Sequence, residues 1–246
     1  MSIERIYHDP ELVQFYDIEN QWDADSEYCQ NLAVNANSIL DLGCGTGLLL
    51  AELSHGRSAT GVDPAHAMLE VARNRLGGDR VQWIEGDARN LHLDQQFDLV
   101  FLTGHAFQVF LYAEDQRAVL QTIARHLSPN GQFIFDSRNP NVQEWSGWKP
   151  EDSRYTFPHP DLGDIEAWND VSYDTSTKIA TYETHYRVLA TGKHLSSEAK
   201  ILYTRKENLA EMIDEAGLVF DQWLGDWQGT EFTQQSKEII PVGRLL

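Results

Sequence analysis

Short apolar runs alternate with segments of helical periodicity over the first half of the chain. The runs have the length of β-strands, and they end near Leu40, Val62, Glu85 and Thr103. Between them, apolar residues recur every three or four positions, for example at Ala65, Met68, Leu69 and Ala72, as in a helix with one buried face. Because strands that alternate with helices form parallel sheets, this pattern predicts an α/β fold.

The remaining strands follow from the same pattern. Residues 114–127 predict a helix, residues 128–131 predict a turn, and residues 132–136 predict the fifth strand. Two further apolar runs, at 218–223 and 237–244, predict the last two strands of the same sheet.

Residues 138–203 show a different pattern, in which apolar and polar positions alternate. Strands are predicted there at 165–173, 179–189 and 194–203, with Asp, Ser, Thr and Gly in the turns between them. Strands joined by short turns pair in antiparallel fashion, so we expect an antiparallel β insertion after the fifth strand. The helical pattern then resumes, with Thr204 predicted as the N-cap and Glu207 as its capping-box partner.

A glycine-rich loop, Asp41-Leu42-Gly43-Cys44-Gly45-Thr46-Gly47, joins the first strand to the next helix. Such a loop lays a nucleotide-like ligand over the end of a parallel strand. A dinucleotide fingerprint counted from Gly43 would need glycine at position 48, where the chain has leucine. The loop also lacks the Gly-Lys-Ser/Thr ending of a phosphate-binding P-loop.

The order D-x-G-x-G-x-G resembles the first motif of class I S-adenosylmethionine-dependent methyltransferases. The resemblance implies a Rossmann-like, seven-stranded, mostly parallel sheet with helices on both faces, in which the last strand is antiparallel. It also implies S-adenosylmethionine as the cofactor and S-adenosylhomocysteine as the product. Gly43, Gly45 and Gly47 are then cofactor contacts, Cys44 lies among them, and Asp41 lies near the cofactor's ammonium group.

Two more acidic residues follow the second and third strands. Asp63 lies 16 residues beyond Gly47, which is about where doubly wound folds place the carboxylate that accepts both ribose hydroxyls. Followed by Pro64, it is equally suited to cap the next helix, and one carboxylate can serve both roles. By resemblance, Asp87 accepts a hydrogen bond from the adenine amino group, with the Ala88 amide beside it.

Composition and charge limit the classes of partner. The chain has 246 residues and a formal net charge of −19, without a Lys/Arg cluster, so nucleic acid is an unfavourable partner. Cys29 and Cys44 show no metal-ligand spacing, and we predict no metal site. No apolar run is long enough for a membrane span or a signal peptide, so we expect no membrane partner and a cytoplasmic location.

The segment after the fourth strand is where the family places residues that face the methyl donor and acceptor. Thr103 is expected beside the cofactor, His105 as general base or acceptor-orienting group, and Gln108 as a hydrogen-bonding catalytic residue. A histidine that caps the following helix is an equally good account of His105. Tyr16 is an expected cofactor contact, because aromatic faces attract a sulfonium.

These observations predict three regions. They are an N-terminal helical cap at 1–36, an S-adenosylmethionine-binding domain at 37–137 and 204–246, and an antiparallel insertion or substrate lid at 138–203. The predicted activity is methyl transfer to nitrogen or oxygen of a small-molecule acceptor. The alternatives are an NAD(P)-dependent oxidoreductase, which Leu48 disfavours, and a non-catalytic S-adenosylmethionine-binding regulatory protein.

Overall fold

The computed structural model of the chain describes residues 4–246. Its helices are α1 Arg5–His8, α2 Pro10–Val13, α3 Tyr16–Glu19, α4 Ala24–Leu32, α5 Leu48–Leu53, α6 His66–Asn74, α7 Ala113–His126, α8 Pro150–Ser153 and α9 Lys206–Glu215. Its strands are β1 Ser38–Leu42, β2 Ser58–Asp63, β3 Gln82–Glu85, β4 Phe97–Leu102, β5 Leu127–Phe135, β6 Ser137–Arg138, β7 Tyr155–His159, β8 Gly163–Asp174, β9 Ile179–Val188, β10 His194–Leu202, β11 Leu218–Leu224 and β12 Glu238–Leu245.

The central sheet has the strand order β11-β12-β5-β4-β1-β2-β3, with the short β6 paired to β12. The strands from β5 to β3 are parallel, whereas β12 is antiparallel to both β5 and β11. The strand order changes direction at β1, where β4 lies on one side and β2 on the other, so their carboxyl ends form the usual ligand crevice.

Helices cover both faces of this sheet because alternate strand residues point to opposite faces. On one face, Leu40 and Val100 pack with apolar residues of α7 and α9. On the other face, Ile39 and Phe101 pack with residues of α4 and α5. The predicted Rossmann-like fold class is therefore confirmed.

The insertion forms a separate four-stranded antiparallel sheet, in the order β10-β9-β8-β7. Its fourth strand, β7, was missed from the sequence because Pro158 interrupts the alternating pattern. Proline lacks an N–H for the sheet ladder and is tolerated on an edge strand, which is where β7 lies.

Two local predictions were wrong. Residues 128–131 form a bulge within β5, because the pairing moves from Phe97 with Leu127 to Leu99 with Gln132. The capping box at Thr204 does not form. Helix α9 begins after Arg205, without a side-chain cap, and the Thr204 hydroxyl instead pairs with the buried amide of Gln116 at 3.0–3.1 Å.

The predicted N-terminal cap is helical over its described part, in α1 to α4, while residues 1–3 of that prediction lie outside the described residues. Within residues 4–246, no helix combines the length and the apolar character needed to cross a membrane. The division into three regions remains a prediction.

Candidate functional site

The glycine-rich loop leaves β1 in a conformation that only glycine adopts easily. Gly43, Gly45 and Gly47 have φ angles of 71°, 54° and 73°, all in the left-handed region. At Gly45 an added β-carbon would lie 3.5 Å from the Met68 methyl carbon and 3.7 Å from the Tyr16 hydroxyl, which is ordinary contact. Backbone conformation, rather than crowding by the protein, therefore requires glycine at position 45.

Four backbone N–H groups of this loop donate hydrogen bonds to protein oxygens. Those of Gly43 and Cys44 donate to the Val62 carbonyl oxygen at 2.8 and 3.1 Å, and that of Gly47 donates to the Cys44 carbonyl oxygen. The N–H of Gly45 donates to a carboxylate, Oδ2 of Asp63, at 2.9 Å. The N–H groups of Gly43, Cys44, Gly45 and Gly47 are therefore not free to bind a phosphate.

Asp41 is the penultimate residue of β1, and it is 4% exposed. Burial, followed by the charge of nearby Asp63, raises the pKa of Asp41 to about 8, and no hydrogen bond from the described residues opposes that rise. A buried carboxyl without a cationic partner is costly to ionise. The site therefore suits a ligand that brings a positive charge to Asp41.

Asp63 ends β2, and both oxygens of its carboxylate accept from backbone N–H groups. The predicted N-cap role was wrong, because α6 begins after Ala65 and has no side-chain cap, and the ribose contact stays a prediction. Oδ1 of Asp63 accepts from the Ala65 N–H at 2.8 Å before α6, and its Oδ2 accepts from the Gly45 N–H. Burial raises the pKa of this carboxyl, although these two amide bonds act in the opposite direction. Each carboxylate oxygen of Asp63 keeps a second lone pair for a ligand hydroxyl. Pro64, the next residue, is exposed.

Asp63→Ala is expected to weaken cofactor binding by about 1–3 kcal/mol, because ribose hydroxyls lose a charged acceptor. The same change leaves the N–H groups of Gly45 and Ala65 without their acceptor, so we also expect a lower Tm. Calorimetric titration and thermal unfolding measure the two effects separately. Unchanged affinity in a folded variant would contradict the ribose assignment.

Glycine is needed at position 47 for a different structural reason from that at position 45. An added β-carbon at Gly47 would lie 2.4 Å from the Trp83 ring and 2.9 Å from the Ala72 methyl group. The ring also lies against Gly61, and its Nε1 donates to the Gly78 carbonyl oxygen at 2.8 Å. The missing side chain of Gly47 thus makes room for Trp83, and the cofactor contact at this position stays a prediction.

Cys44 and Ala88 are both buried in the site region. The Cys44 thiol lies against Gly61, where an added β-carbon would be 3.0 Å from Sγ, and burial raises the pKa of this thiol well above its ordinary value. Ala88 is 7% exposed and packs in the main core beneath α7. The Cys44 side chain is therefore a small packing group.

The Asp87 carboxylate is already engaged by Arg89. It accepts from the Arg89 backbone N–H at 2.9 Å and from the guanidinium at 2.5–3.0 Å, and this hydrogen bonding lowers the pKa of Asp87. The same guanidinium reaches Asp115 at 3.1 Å. A contact between Asp87 and an adenine amino group would thus require Arg89 to move aside.

Hydrogen bonds of Asp17 connect the N-terminal cap to the glycine loop. The Thr46 hydroxyl donates to its Oδ1 at 2.6 Å, and the Arg75 guanidinium donates to its Oδ2 at 2.5 Å. Arg75 also donates to the Thr46 carbonyl oxygen at 3.0 Å. This network holds neighbouring Tyr16 with its hydroxyl beside Gly45, and the cofactor contact of Tyr16 stays a prediction.

The segment after β4 lies against the glycine loop, with Ala106 close to Gly43. Thr103 is half-buried and its carbonyl oxygen accepts from the Ala106 N–H. His105 adopts a left-handed φ of 60°, and its side chain forms no capping hydrogen bond. The imidazole instead points to two acids, with Nε2 3.0 Å from Glu238 Oε2 and 3.4 Å from Asp136 Oδ2.

Gln108 is fully buried, and protein groups use its amide. Its Nε2 donates to the Leu202 carbonyl oxygen at 3.1 Å, and its Oε1 accepts from the backbone N–H and guanidinium of Arg138. These bonds join the segment after β4 to the insertion. They indicate that Gln108 positions other residues, rather than contacting substrate as its predicted catalytic role requires.

Aromatic residues of the N-terminal cap and the insertion lie in the same region. Tyr7 in α1 packs edge-on against Tyr16 at a centroid distance of 6.3 Å, and the neighbouring Tyr182 in β9 raises the pKa of Tyr7 well above its ordinary value. Tyr182 packs edge-on against Trp148 at a centroid distance of 5.6 Å, and Trp148 lies 5.1 Å from the Arg138 guanidinium. Tyr182 and Trp148 have ordinary strand and loop signals, so only the folded insertion reveals their proximity.

Comparison with known proteins agrees with this geometry. Residues 39–131 match a family model described as a methyltransferase domain. Over 108 residues the chain is 33% identical to the cypemycin N-terminal methyltransferase of a Streptomyces species, a match covering 44% of this chain and 44% of that relative. The match thus spans less than half the length of that curated relative.

Solved structures extend the similarity to the whole fold. An S-adenosylmethionine-dependent methyltransferase from Clostridium acetobutylicum superposes with a TM-score of 0.80 at 18% identity, covering 96% of this chain and 98% of that one. An amino pentose methyltransferase from Micromonospora echinaspora, solved with S-adenosylmethionine bound, gives a TM-score of 0.71 at 20% identity and covers 97% and 98%.

These matches confirm the resemblance to class I S-adenosylmethionine-dependent methyltransferases, for the domain at 39–131 and for the fold. The methyltransferase domain predicted from the sequence is confirmed over residues 39–131. The likeness to the structure solved with S-adenosylmethionine, at 20% identity, is a likeness of fold.

Proposed function

We propose that this protein transfers a methyl group from S-adenosylmethionine to nitrogen or oxygen of a small-molecule acceptor. The observation that carries the proposal is Asp41, a buried carboxyl whose pKa is raised to about 8 by burial and by the charge of Asp63, beside a glycine loop in which the N–H groups of all three glycines donate to protein oxygens. A cofactor with an ammonium group and no phosphate matches both features. A methyltransferase domain over residues 39–131 supports the same assignment.

The residues that would hold this cofactor surround the carboxyl ends of β1 and β2. Asp41 faces its ammonium group, the left-handed loop at Gly43 and Gly45 receives its amino-acid portion, and Asp63 accepts from its ribose hydroxyls. Tyr16 closes the site from the N-terminal cap. When bound, S-adenosylmethionine supplies an electrophilic methyl group on a sulfonium, which the acceptor takes by in-line displacement.

The chain's own residues then have three tasks, which are to orient the acceptor, exclude water and receive a proton. Tyr7, Tyr182 and Trp148 form an aromatic wall between the N-terminal cap and the insertion, and Tyr7 and Tyr182 are half-buried. Alignment of the two reactants and exclusion of water are the largest contributions that a protein makes to a displacement reaction. His105 is the candidate proton acceptor, and Gln108 supports the wall as a positioning residue.

Two similar solved structures further support a small-molecule acceptor with nitrogen as a possible nucleophile. The similar structure from Micromonospora echinaspora is an amino pentose methyltransferase, and another similar structure is a sugar N-methyltransferase from a Streptoalloteichus species. Acidic side chains near the acceptor side, at Asp136, Glu144 and Glu238, disfavour an anionic acceptor.

Calorimetric titration with S-adenosylmethionine, S-adenosylhomocysteine and NAD tests the proposal. We expect both sulfur compounds to bind and NAD not to bind, because the N–H groups of Gly43, Cys44, Gly45 and Gly47 already donate to protein oxygens and Leu48 replaces the third glycine of a dinucleotide loop. Binding of NAD alone would favour the oxidoreductase instead. Release of S-adenosylhomocysteine in the presence of a panel of amines and hydroxy compounds then distinguishes an enzyme from a regulatory protein that only binds the cofactor.

A further inference from the structure

His105, Asp136 and Glu238 converge from three elements that are far apart in the chain. His105 follows β4, Asp136 follows β5, and Glu238 begins β12, 133 residues after the histidine. The Asp136 side chain is 1% exposed and that of Glu238 is 16% exposed, while the imidazole keeps 23% of its surface open. The two acids are therefore enclosed by protein, and the histidine forms the open end of the cluster.

The backbone at His105 is held in a strained conformation by one of these acids. A left-handed φ of 60° is unfavourable for a residue with a β-carbon. Both oxygens of Asp136 accept from the His105 backbone N–H, at 3.0 and 3.1 Å, and so stabilise this conformation. Strain of this kind is concentrated at functional sites, where neighbouring residues enforce a particular side-chain direction.

The direction of the imidazole determines which of its nitrogens carries a proton. Nε2 lies 3.0 Å from Glu238 Oε2 and 3.4 Å from Asp136 Oδ2. A lone pair on Nε2 would face carboxylate oxygens and be repelled, whereas an N–H there donates to them. The neutral ring is thus expected to carry its proton on Nε2, which leaves the lone pair on Nδ1.

We propose that Glu238 is a positioning residue which, together with Asp136, keeps a proton on His105 Nε2 and so makes Nδ1 the proton acceptor for the methyl acceptor. This inference rests on the proposed methyl transfer. Glu238 lies outside the matched domain at 39–131, so the family match does not assign it a role.

The proton and the electrons balance in this scheme. Nδ1 takes the proton from an O–H or ammonium N–H of the acceptor, the freed lone pair forms the bond to the methyl carbon, and the carbon–sulfur bond breaks with its electron pair left on sulfur. The ring then carries protons on both nitrogens, and its positive charge is stabilised by Glu238 and Asp136. Loss of the Nδ1 proton to water restores the neutral ring.

The charged groups that face the imidazole are consistent with this role. Burial alone would lower the pKa of His105, but Asp136 and the hydrogen bond with Glu238 outweigh burial and the opposing charge of Arg138, and they raise it. Burial also raises the pKa of Asp136 to about 6. Nδ1 is consequently a stronger base than an ordinary imidazole nitrogen, and it is most effective above the ordinary histidine pKa.

Nitrogen-15 NMR of histidine-labelled protein tests the proposal directly, with the His105 signal assigned from its loss in His105→Asn. At high pH we expect the wild type to show the Nε2–H tautomer. In Glu238→Gln the pKa of His105 should fall by about one unit or more, because an opposite charge in contact is removed. Glu238→Asp retains a carboxylate and should recover part of that shift.

Glu85→Gln is the matched control, because Glu85 also contacts an imidazole nitrogen, at 2.9 Å from His66 Nδ1, but on the exposed surface. This control should leave the His105 signal unchanged. The proposal is overturned by an Nδ1–H tautomer, by the same His105 pKa in Glu238→Gln as in the wild type, or by tight binding of Mg²⁺, Mn²⁺ or Zn²⁺ to the cluster.

The same samples distinguish failure of this inference from failure of the proposed function. Titration with S-adenosylhomocysteine should give similar affinities for wild type and Glu238→Gln, because Glu238 is not among the cofactor-holding residues. Binding by both proteins, without the NMR shift, would leave the methyltransferase proposal standing and remove only the role of Glu238. No binding by the wild type would contradict the proposed function itself.

Discussion

Asp41→Asn is expected to raise the Tm of the unliganded protein by roughly 5–10 °C near neutral pH and to weaken S-adenosylmethionine binding at least about tenfold. The carboxyl is 4% exposed and has a pKa of about 8, raised by burial and by Asp63. An amide at this position needs no proton and carries no charge, so it removes the cost of burial. It also removes the negative charge that attracts the cofactor's ammonium group.

The pH dependence has a definite sign. Between the ordinary aspartate pKa of about 4 and the folded value of about 8, the folded state of the wild type binds more protons than the unfolded state. Its free energy of unfolding therefore falls as pH rises through this range. The variant lacks this contribution, so its advantage should be absent below about pH 4 and largest near pH 8.

Thermal unfolding from acid to mildly alkaline pH, with and without cofactor, measures both effects. Asp79→Asn serves as the control, because Asp79 is an exposed acid outside the site. A lower Tm for Asp41→Asn would show that the carboxylate has a stabilising partner in the folded protein. Unchanged cofactor affinity would remove Asp41 from the ammonium site.

Gly47→Ala is expected to destabilise the protein by about 2–4 kcal/mol and to lower its Tm by roughly 5–15 °C. The added methyl group would lie 2.4 Å from the Trp83 ring and 2.9 Å from the Ala72 methyl group, and the φ of 73° adds backbone strain. The ring also packs against Gly61 and is fixed by its hydrogen bond to Gly78. It therefore has little room to move away.

Gly56→Ala separates the clash from the strain. Gly56 has an almost identical φ of 74°, but an added β-carbon there meets nothing within 4 Å, so only the backbone strain of about 1–2 kcal/mol is expected. The double variant Gly47→Ala/Trp83→Leu should recover part of the loss. A stable Gly47→Ala protein that no longer binds S-adenosylmethionine would instead support the cofactor contact predicted from the motif.

The comparison of Gly45 with Gly47 shows how far the glycine motif can be interpreted from sequence. Both glycines have a left-handed φ, yet one is surrounded by ordinary contacts and the other by an indole ring. Trp83 lies 36 positions after Gly47 in the sequence and comes close to it only because β3 packs beside β2. No spacing rule within the loop contains that information.

Asp63 and Asp87 show the same limit for acidic residues at strand ends. The motif order placed both correctly after successive strands, and Asp63 bonds to the Ala65 N–H in the turn before α6 and to the Gly45 N–H of the glycine loop. Asp87 is instead occupied by Arg89, two residues further along, because that guanidinium also reaches Asp115 at the start of α7. A side-chain ion pair of this kind depends on where α7 packs.

The sequence alone determined the α/β architecture and the order of glycines and acids at the ends of the strands, because local periodicity and short motifs act over a few neighbouring residues. The tertiary structure decided which of those side chains remain available to a ligand. It also brought Glu238 to His105, and Tyr182 and Trp148 to the acceptor side, since these contacts depend on strand order and on how the insertion folds back. Long-range packing leaves no local pattern in the chain. For that reason the glycine loop and the acids at strand ends were predictable, whereas the contacts of Glu238, Tyr182 and Trp148 were not.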